Sequence, residues 1–161
     1  MAAVWYIKLL AEGVEMINFD ESVVNTTDKR SRGWFIKSKR NIVTHTQRLA
    51  SMNIIAAVSN KGRFIYTVNK GKNNGDTMIH FLLKLCELLN KESPDWRAKT
   101  VLLTDNAPYH RSKAMMDKYR QLKLPMMFFG PYQFKLAPIE LMYSYIKNRD
   151  LNPLKTRAQA R

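Results

Sequence analysis

With 161 residues, 45% of them apolar and 25% charged, the chain has the make-up of one folded domain and not of a disordered segment. No apolar run approaches the ~20 residues of a membrane-spanning helix, the lone Cys86 excludes an internal disulfide or a cysteine-cluster metal site, and the opening MAAVWYIKLLAEGVEM lacks the charge and cleavage pattern of a secretory leader. Twenty-seven Lys and Arg against 13 Asp and Glu leave a net charge of +14, an excess that asks for a polyanionic partner, nucleic acid first.

The basic charge is not spread evenly. Residues 29–72 carry eleven Lys and Arg, among them Arg32, Lys37, Lys39 and Arg40, and no acid. In chain order, residues 1–15 read as a lead-in segment. Residues 16–22 alternate as a strand, with Ile17 and Phe19 on one face and Asn18 and Asp20 on the other. Residues 33–43 read as a basic hairpin or loop. Residues 51–59 and 63–68 are β-rich runs joined by Asn60-Lys61-Gly62, a hairpin signal. A helix is predicted over 77–90, with Ile79, Leu82, Leu83, Cys86 and Leu89 at helical spacing. Residues 100–104 (TVLLT) form a short buried strand ending at Asp105. Ser112 caps a helix to residue 121, residues 124–129 form another apolar strand, and Pro138 opens a final helix to residue 147. In that last helix Ile139, Met142, Tyr143 and Ile146 make the core stripe, and Glu140, Ser144 and Lys147 lie on another face. Antiparallel strands followed by β-α-β units predict an α/β fold, a mixed sheet with helices on its faces.

In that order of elements three carboxylates stand out. Asp20 lies near the end of the first strand, Asp105 directly follows the fourth, and Glu140 sits in the first turn of the last helix, where the helix N-terminus favours its charge. Strand ends and adjacent helix starts converge on one edge of such sheets. Three carboxylates converging in a basic protein suit a hard cation such as Mg²⁺. Alternation turns Glu21 to the face opposite Asp20, away from a shared metal. Glu87 and Asp117 read as solvated helix acids, and His45 and His80 have no chemical context.

Four segments together carry a resemblance: FDES (19–22), RGW (32–34), LLTDNAPYHRS (102–112) and GPYQFKLAPIELMYSYIK (130–147). They resemble the catalytic core of mariner-superfamily DDE transposases, and 34 residues separate Asp105 from Glu140, as in one branch of that superfamily. The resemblance spans 16–151, and implies a ribonuclease H-like catalytic domain with a five-stranded mixed sheet, followed by a basic tail at 152–161. It also implies that Asp20, Asp105 and Glu140 are catalytic and hold two Mg²⁺ ions, with Mn²⁺ as a substitute, ~3.5–4 Å apart across the scissile phosphate. Arg32, Trp34, Lys37, Lys39, Arg40 and His110 are then candidate DNA contacts. His110 is equally readable as a positioning or structural histidine, and Trp34 as a buried anchor. The implied partners are transposon-end and target DNA, with a homodimer as one arrangement and no membrane. The implied location is the nucleus in a eukaryote or the cytoplasm otherwise.

Two positions depart from the family pattern: Ala137 stands where Asn usually precedes Pro-Ile-Glu, and Phe134-Lys135 replace Pro-Asp. The chain starts nineteen residues before Asp20, whereas relatives carry helix-turn-helix modules upstream. Three readings follow: a transposase core that cuts and joins DNA strands, a catalytically impaired nucleic-acid-binding remnant or domesticated fragment, and another ribonuclease H-like nuclease.

Overall fold

Met16, Ile17 and Phe19 are all buried. Neighbouring residues of a strand point to opposite faces, so burial of consecutive positions makes their strand the centre of a sheet covered on both sides. The computed structural model describes residues 2–24, 37, 51–71, 73–130 and 137–148. Its elements are α1 (Ala2–Ala11), β1 (Glu15–Val24), β2 (Met52–Ser59), β3 (Phe64–Lys70), α2 (Gly75–Glu92), α3 (Trp96–Lys99), β4 (Thr100–Thr104), α4 (Lys113–Gln121), β5 (Met126–Phe128) and α5 (Pro138–Asn148). Among the described residues the strands form one five-stranded sheet in the order β3-β2-β1-β4-β5. The hairpin β2–β3 and the pair β1–β2 are antiparallel, and β1–β4 and β4–β5 are parallel. The predicted mixed sheet flanked by helices is the observed architecture.

Side-chain alternation along β1 divides the core in two. Ile17 and Phe19 pack with Phe81, Leu82 and Leu85 of α2 and with Met115 and Tyr119 of α4. Met16 joins Ala56, Leu103, Phe129, Ile139 and Tyr143 on the opposite face, where α5 and the α1 residues Tyr6 and Leu9 lie. Of the predicted stripe of α2, Leu82, Cys86 and Leu89 are buried, but the stripe is wider and turned toward Met78, Phe81 and Leu85, and Leu83 is exposed. The run is apolar on more than one side, so spacing alone permitted either face. Asn74 caps α2 reciprocally with Thr77 and starts the helix two residues before the predicted start at 77. The segment read as a lead-in is helical over Ala2–Ala11, and α3, whose Trp96 is buried with its indole N–H donating to Asn90 Oδ1 at 2.8 Å, has no counterpart in the sequence reading. The strand predicted at 124–129 is shorter, because Leu124 still closes the turn from α4, donating to the Tyr119 carbonyl.

The hairpin turn is tied back onto the start of β1. Gly62 adopts φ 82°, a conformation that favours glycine, and Asn60 accepts from Met16 N–H at 2.9 Å and donates to the Val14 carbonyl at 3.1 Å. Arg63 leaves the same turn to pair with Glu15 at 3.0 Å and with Glu92 at 2.7 Å. Burial alone would raise the Glu15 carboxyl, but hydrogen bonds from Arg63 and Ser59 and the charges of Arg63 and Lys61 hold it below the usual carboxylate range. Its stabilising contribution is therefore present above the ordinary carboxylate pKa and is lost as pH falls through the depressed value. Arg63→Ala should cost about 2 kcal/mol at neutral pH by leaving a buried carboxylate without its partner. The difference from the parent in urea unfolding should shrink as pH falls through the depressed Glu15 value; a loss that is the same at neutral and at strongly acidic pH would assign it to packing alone.

Candidate active site

The parallel pairing of β1 with β4 runs from Glu15↔Thr100 to Asn18↔Leu103. Beyond that point β1 stays paired with β2 alone, as far as Val24, and β4 ends at Thr104. Asp20 lies two residues past Asn18 and Asp105 two residues past Leu103, so the common register sets the two carboxylates level at one sheet edge. Asp105 turns the chain by accepting from Ala107 N–H at 3.0 Å, an Asx turn, and the loop brings His110 back beneath the edge. His110 is 1% exposed. Its Nε2 lies 3.2 Å from Glu21 Oε2 and 3.6 Å from Asp105 Oδ1, its Nδ1 lies 3.4 Å from the Tyr119 hydroxyl, and its ring meets Phe19 edge-on.

Crowded charge shapes the titration of this group. Burial pushes the Asp20 carboxyl up to about 7; the Glu21 N–H that it accepts opposes the rise, and the charges of Glu21 and Asp105 add to it. Burial by itself lowers the His110 imidazole, but the hydrogen bond and charge of Glu21, then the charges of Asp105 and Asp20, carry it above the ordinary histidine value. One carboxylate oxygen from Asp20, one from Glu21 and one ring nitrogen of His110 lie within 4.8 Å of one another, close enough to share a cation.

Helix α5 brings in the third predicted acid. Its core face is Ile139 and Tyr143, both buried, while Glu140, Ser144 and Lys147 are on the exposed side, as the spacing predicts. Two bonds fix the helix to β1. Ile139 N–H donates to Asn18 Oδ1 at 3.1 Å, and the Tyr143 hydroxyl donates to the Asp20 carbonyl at 2.5 Å. Burial first, then the charges of Asp20, Glu21 and Glu140, raise the Tyr143 hydroxyl well above the usual phenol range. Tyr143 thus feels the charges of both Asp20 and Glu140, but among the described residues the group close enough to share a cation is Asp20, Glu21 and His110, without Asp105 or Glu140.

Two expectations are corrected. Glu21 does leave β1 on the face opposite Asp20, toward His110, but it is not remote. With no β4 neighbour beside β1 at this height, one carboxylate oxygen of each still lies within 4.8 Å of the other. His110, 1% exposed, fits the reading of a positioning or structural histidine and not that of a DNA contact; its partners are Glu21, Asp105 and the Tyr119 hydroxyl. Of the other candidate DNA contacts, Lys37 is in an exposed turn, and Arg32, Trp34, Lys39 and Arg40 lie outside the described residues. Asn18 and Tyr143 were not singled out as site residues, although an amide facing the same side of β1 as Met16 is itself a signal for a buried polar role.

The sequence model of the DDE superfamily endonucleases matches residues 15–160. No curated protein sequence matches the chain. Among solved structures, a Mos1 transposase paired-end complex with the left transposon end is similar at TM-score 0.66 and 18% identity, over 99% of this chain and 51% of that one. A Mos1 mariner paired-end complex with Mn aligns at TM-score 0.63 and 19% identity, over 96% of this chain and 50% of that one. The isolated catalytic domain of Mos1 mariner transposase aligns at 0.62 and 16%, over 98% and 72%. The sheet and helices are thus those of the ribonuclease H-like fold of that transposase, and the chain spans about half the length of the full transposase chains it resembles.

Tyr143→Phe keeps the buried ring and removes the hydroxyl's bonds, the one it donates to the Asp20 carbonyl and the one from the Ala56 backbone. It should lower the stability of the metal-free protein by about 1 kcal/mol, measured by urea unfolding. No change would mean that the hydroxyl contributes nothing to docking α5, leaving it to ring packing and the Asn18 bond.

Proposed function

The chain belongs to the DDE superfamily endonucleases, and on that premise we propose that it is the catalytic core of a transposase, cutting and joining DNA strands with divalent cations. The observation that carries this reading is the shared register that sets Asp20 and Asp105 side by side at the ends of β1 and β4, with α5 docked over β1 by the two residues that flank Glu140, Ile139 and Tyr143.

The donor set suits Mg²⁺, with Mn²⁺ as its substitute. Asp20, Asp105 and Glu140 offer hard oxygen ligands, and a divalent cation would offset both the burial that holds the Asp20 carboxyl near 7 and the smaller repulsion from Glu21 and Asp105. A pair of such ions, when bound, supplies activation of a water or 3′-hydroxyl and stabilisation of the leaving oxygen. The chain's own residues do the rest. Asp20, Asp105 and Glu140 would hold the ions, Asp20 from a strand paired on its β2 side as far as Val24. His110 spans Glu21 and Asp105 and keeps the two from drifting apart. Glu21 thereby holds negative charge beside Asp20 without occupying its place. The acid-free stretch at 29–72, with Arg32, Trp34, Lys37, Lys39 and Arg40, would take the DNA backbone.

Asp105→Asn should lower Mg²⁺-dependent nicking of plasmid DNA by at least 100-fold and leave DNA binding intact, because an amide keeps the shape and loses the charge. Nicking that persists in this variant would move the active site elsewhere. A parent chain that binds DNA and never nicks it would replace the enzyme with a non-catalytic binding protein. Replacing Arg32, Lys37, Lys39 and Arg40 together should flatten the slope of log affinity against log salt by about 3–4, through the counterions no longer released. An unchanged slope would put the DNA path on another surface.

A further inference from the structure

Helix α5 begins without a cap of its own. The residue before Pro138 is Ala137, which has no side-chain acceptor, and Pro138 has no N–H to satisfy. The first free donor of the helix is Ile139 N–H, the position that an Asn, Asp, Ser or Thr at residue 137 would normally reach. Ile139 N–H instead donates to Asn18 Oδ1 at 3.1 Å, from a residue 121 positions away. Asn18 is 1% exposed, and its other end is also committed, Nδ2 donating to the Leu103 carbonyl at 3.2 Å. Reversing the amide would set N–H against N–H and oxygen against oxygen, so the two bonds fix its orientation.

We propose that Asn18 is the N-cap of α5 supplied from another element, and that through this cap it is the positioning residue for Glu140, the next residue of the helix. One amide then joins the three pieces of chain that carry the site's acids. Its Cα lies two residues before Asp20, its donor holds β4 two residues before Asp105, and its acceptor holds α5 one residue before Glu140. The consequence for cleavage rests on the function proposed above; the cap itself does not.

The test uses the full chain with Asn18→Val, Ala137→Ser and the double variant. Valine suits the apolar surroundings of Met16, Leu103 and Ile139 but accepts no hydrogen bond. In Asn18→Val the Ile139 amide should exchange with solvent roughly fivefold faster or more, the factor expected from a missing N-cap, and the concentration of Mn²⁺ at half-saturation should rise about tenfold. Ala137→Ser should change little in the parent. In the Asn18→Val background it should recover most of the exchange protection and of the Mn²⁺ affinity, since it restores an acceptor for α5 but nothing for Leu103. A general loosening of the sheet would not be rescued this way. Unchanged Ile139 exchange in Asn18→Val, or no recovery in the double variant, overturns the proposal. So does faster exchange with unaltered Mn²⁺ affinity, which would leave a cap that positions nothing. If Asn18→Val alone fails to fold, Asn18→Ser, whose hydroxyl is too short to reach Ile139, replaces it in both arms under the same criteria. A parent chain that never nicks DNA refutes the transposase reading, while exchange, Mn²⁺ binding and rescue still decide on Asn18.

Discussion

The pairing of β1 with β4 stops at Asn18 and Leu103, and the place where it stops organises the site. Parallel strands end in the same direction, so two residues at equal distance past the last pair stand side by side without any local motif to arrange them. Had the ladder continued, Asp20 and Glu21 would have been held strictly to opposite faces and the gap between β1 and β4 would have been closed by backbone. Its end opens a notch at the strands' carboxyl edge, where open α/β sheets bind ligands. The side chains at that notch belong to both layers: Asp20 leaves β1 on the side of α5, Glu21 on the side of His110, and an oxygen of each lies within 4.8 Å of the other.

A chain with a net charge of +14 gathers here three acids, Asp20, Glu21 and Asp105, that repel one another. The ion pairs elsewhere, such as Arg63 with Glu15 and Glu92, neutralise carboxylates with guanidinium. The notch has no Lys or Arg paired with these acids among the described residues; its one adjacent cation is the imidazole of His110 when protonated. Local repulsion of this kind disfavours the folded metal-free state and favours whatever divalent cation the carboxylates accept, a trade of stability for function that is common at sites of chemistry.

Much of this was legible in the sequence, and the misses have physical causes. The strands and the helices α2, α4 and α5 follow from hydrophobic period and, for α4 and α5, from start signals, because Ser112 and Pro138 act within a few residues of themselves. The carboxylates could be picked out from their positions at strand ends and a helix start. The short helix α3, and α1 with its exposed Val4, Trp5, Ile7 and Leu10, have no polar–apolar alternation to announce them. Glu21 was misplaced because alternation describes where a side chain leaves the strand, and a long carboxylate at an open edge can travel further than that. The burial of His110 was invisible because it depends on Phe19 and Tyr119, residues brought to it by different elements.

The 34 residues between Asp105 and Glu140 do not themselves measure a distance. They contain α4 running out from the sheet edge and β5 returning alongside β4, a right-sized parallel crossover, followed by the connection to α5. That circuit returns the chain to the edge it left, but it does not say where α5 will start. A helix whose own flanking residue is Ala137 takes its first turn from a strand laid down 121 residues earlier. The geometry of Glu140 is therefore a property of the assembled sheet: until β1 is seated between β2 and β4, neither the shared register of Asp20 and Asp105 nor the start of α5 exists. Each of the three acids is placed by a long-range contact, so the site forms only with the whole domain and is lost with it.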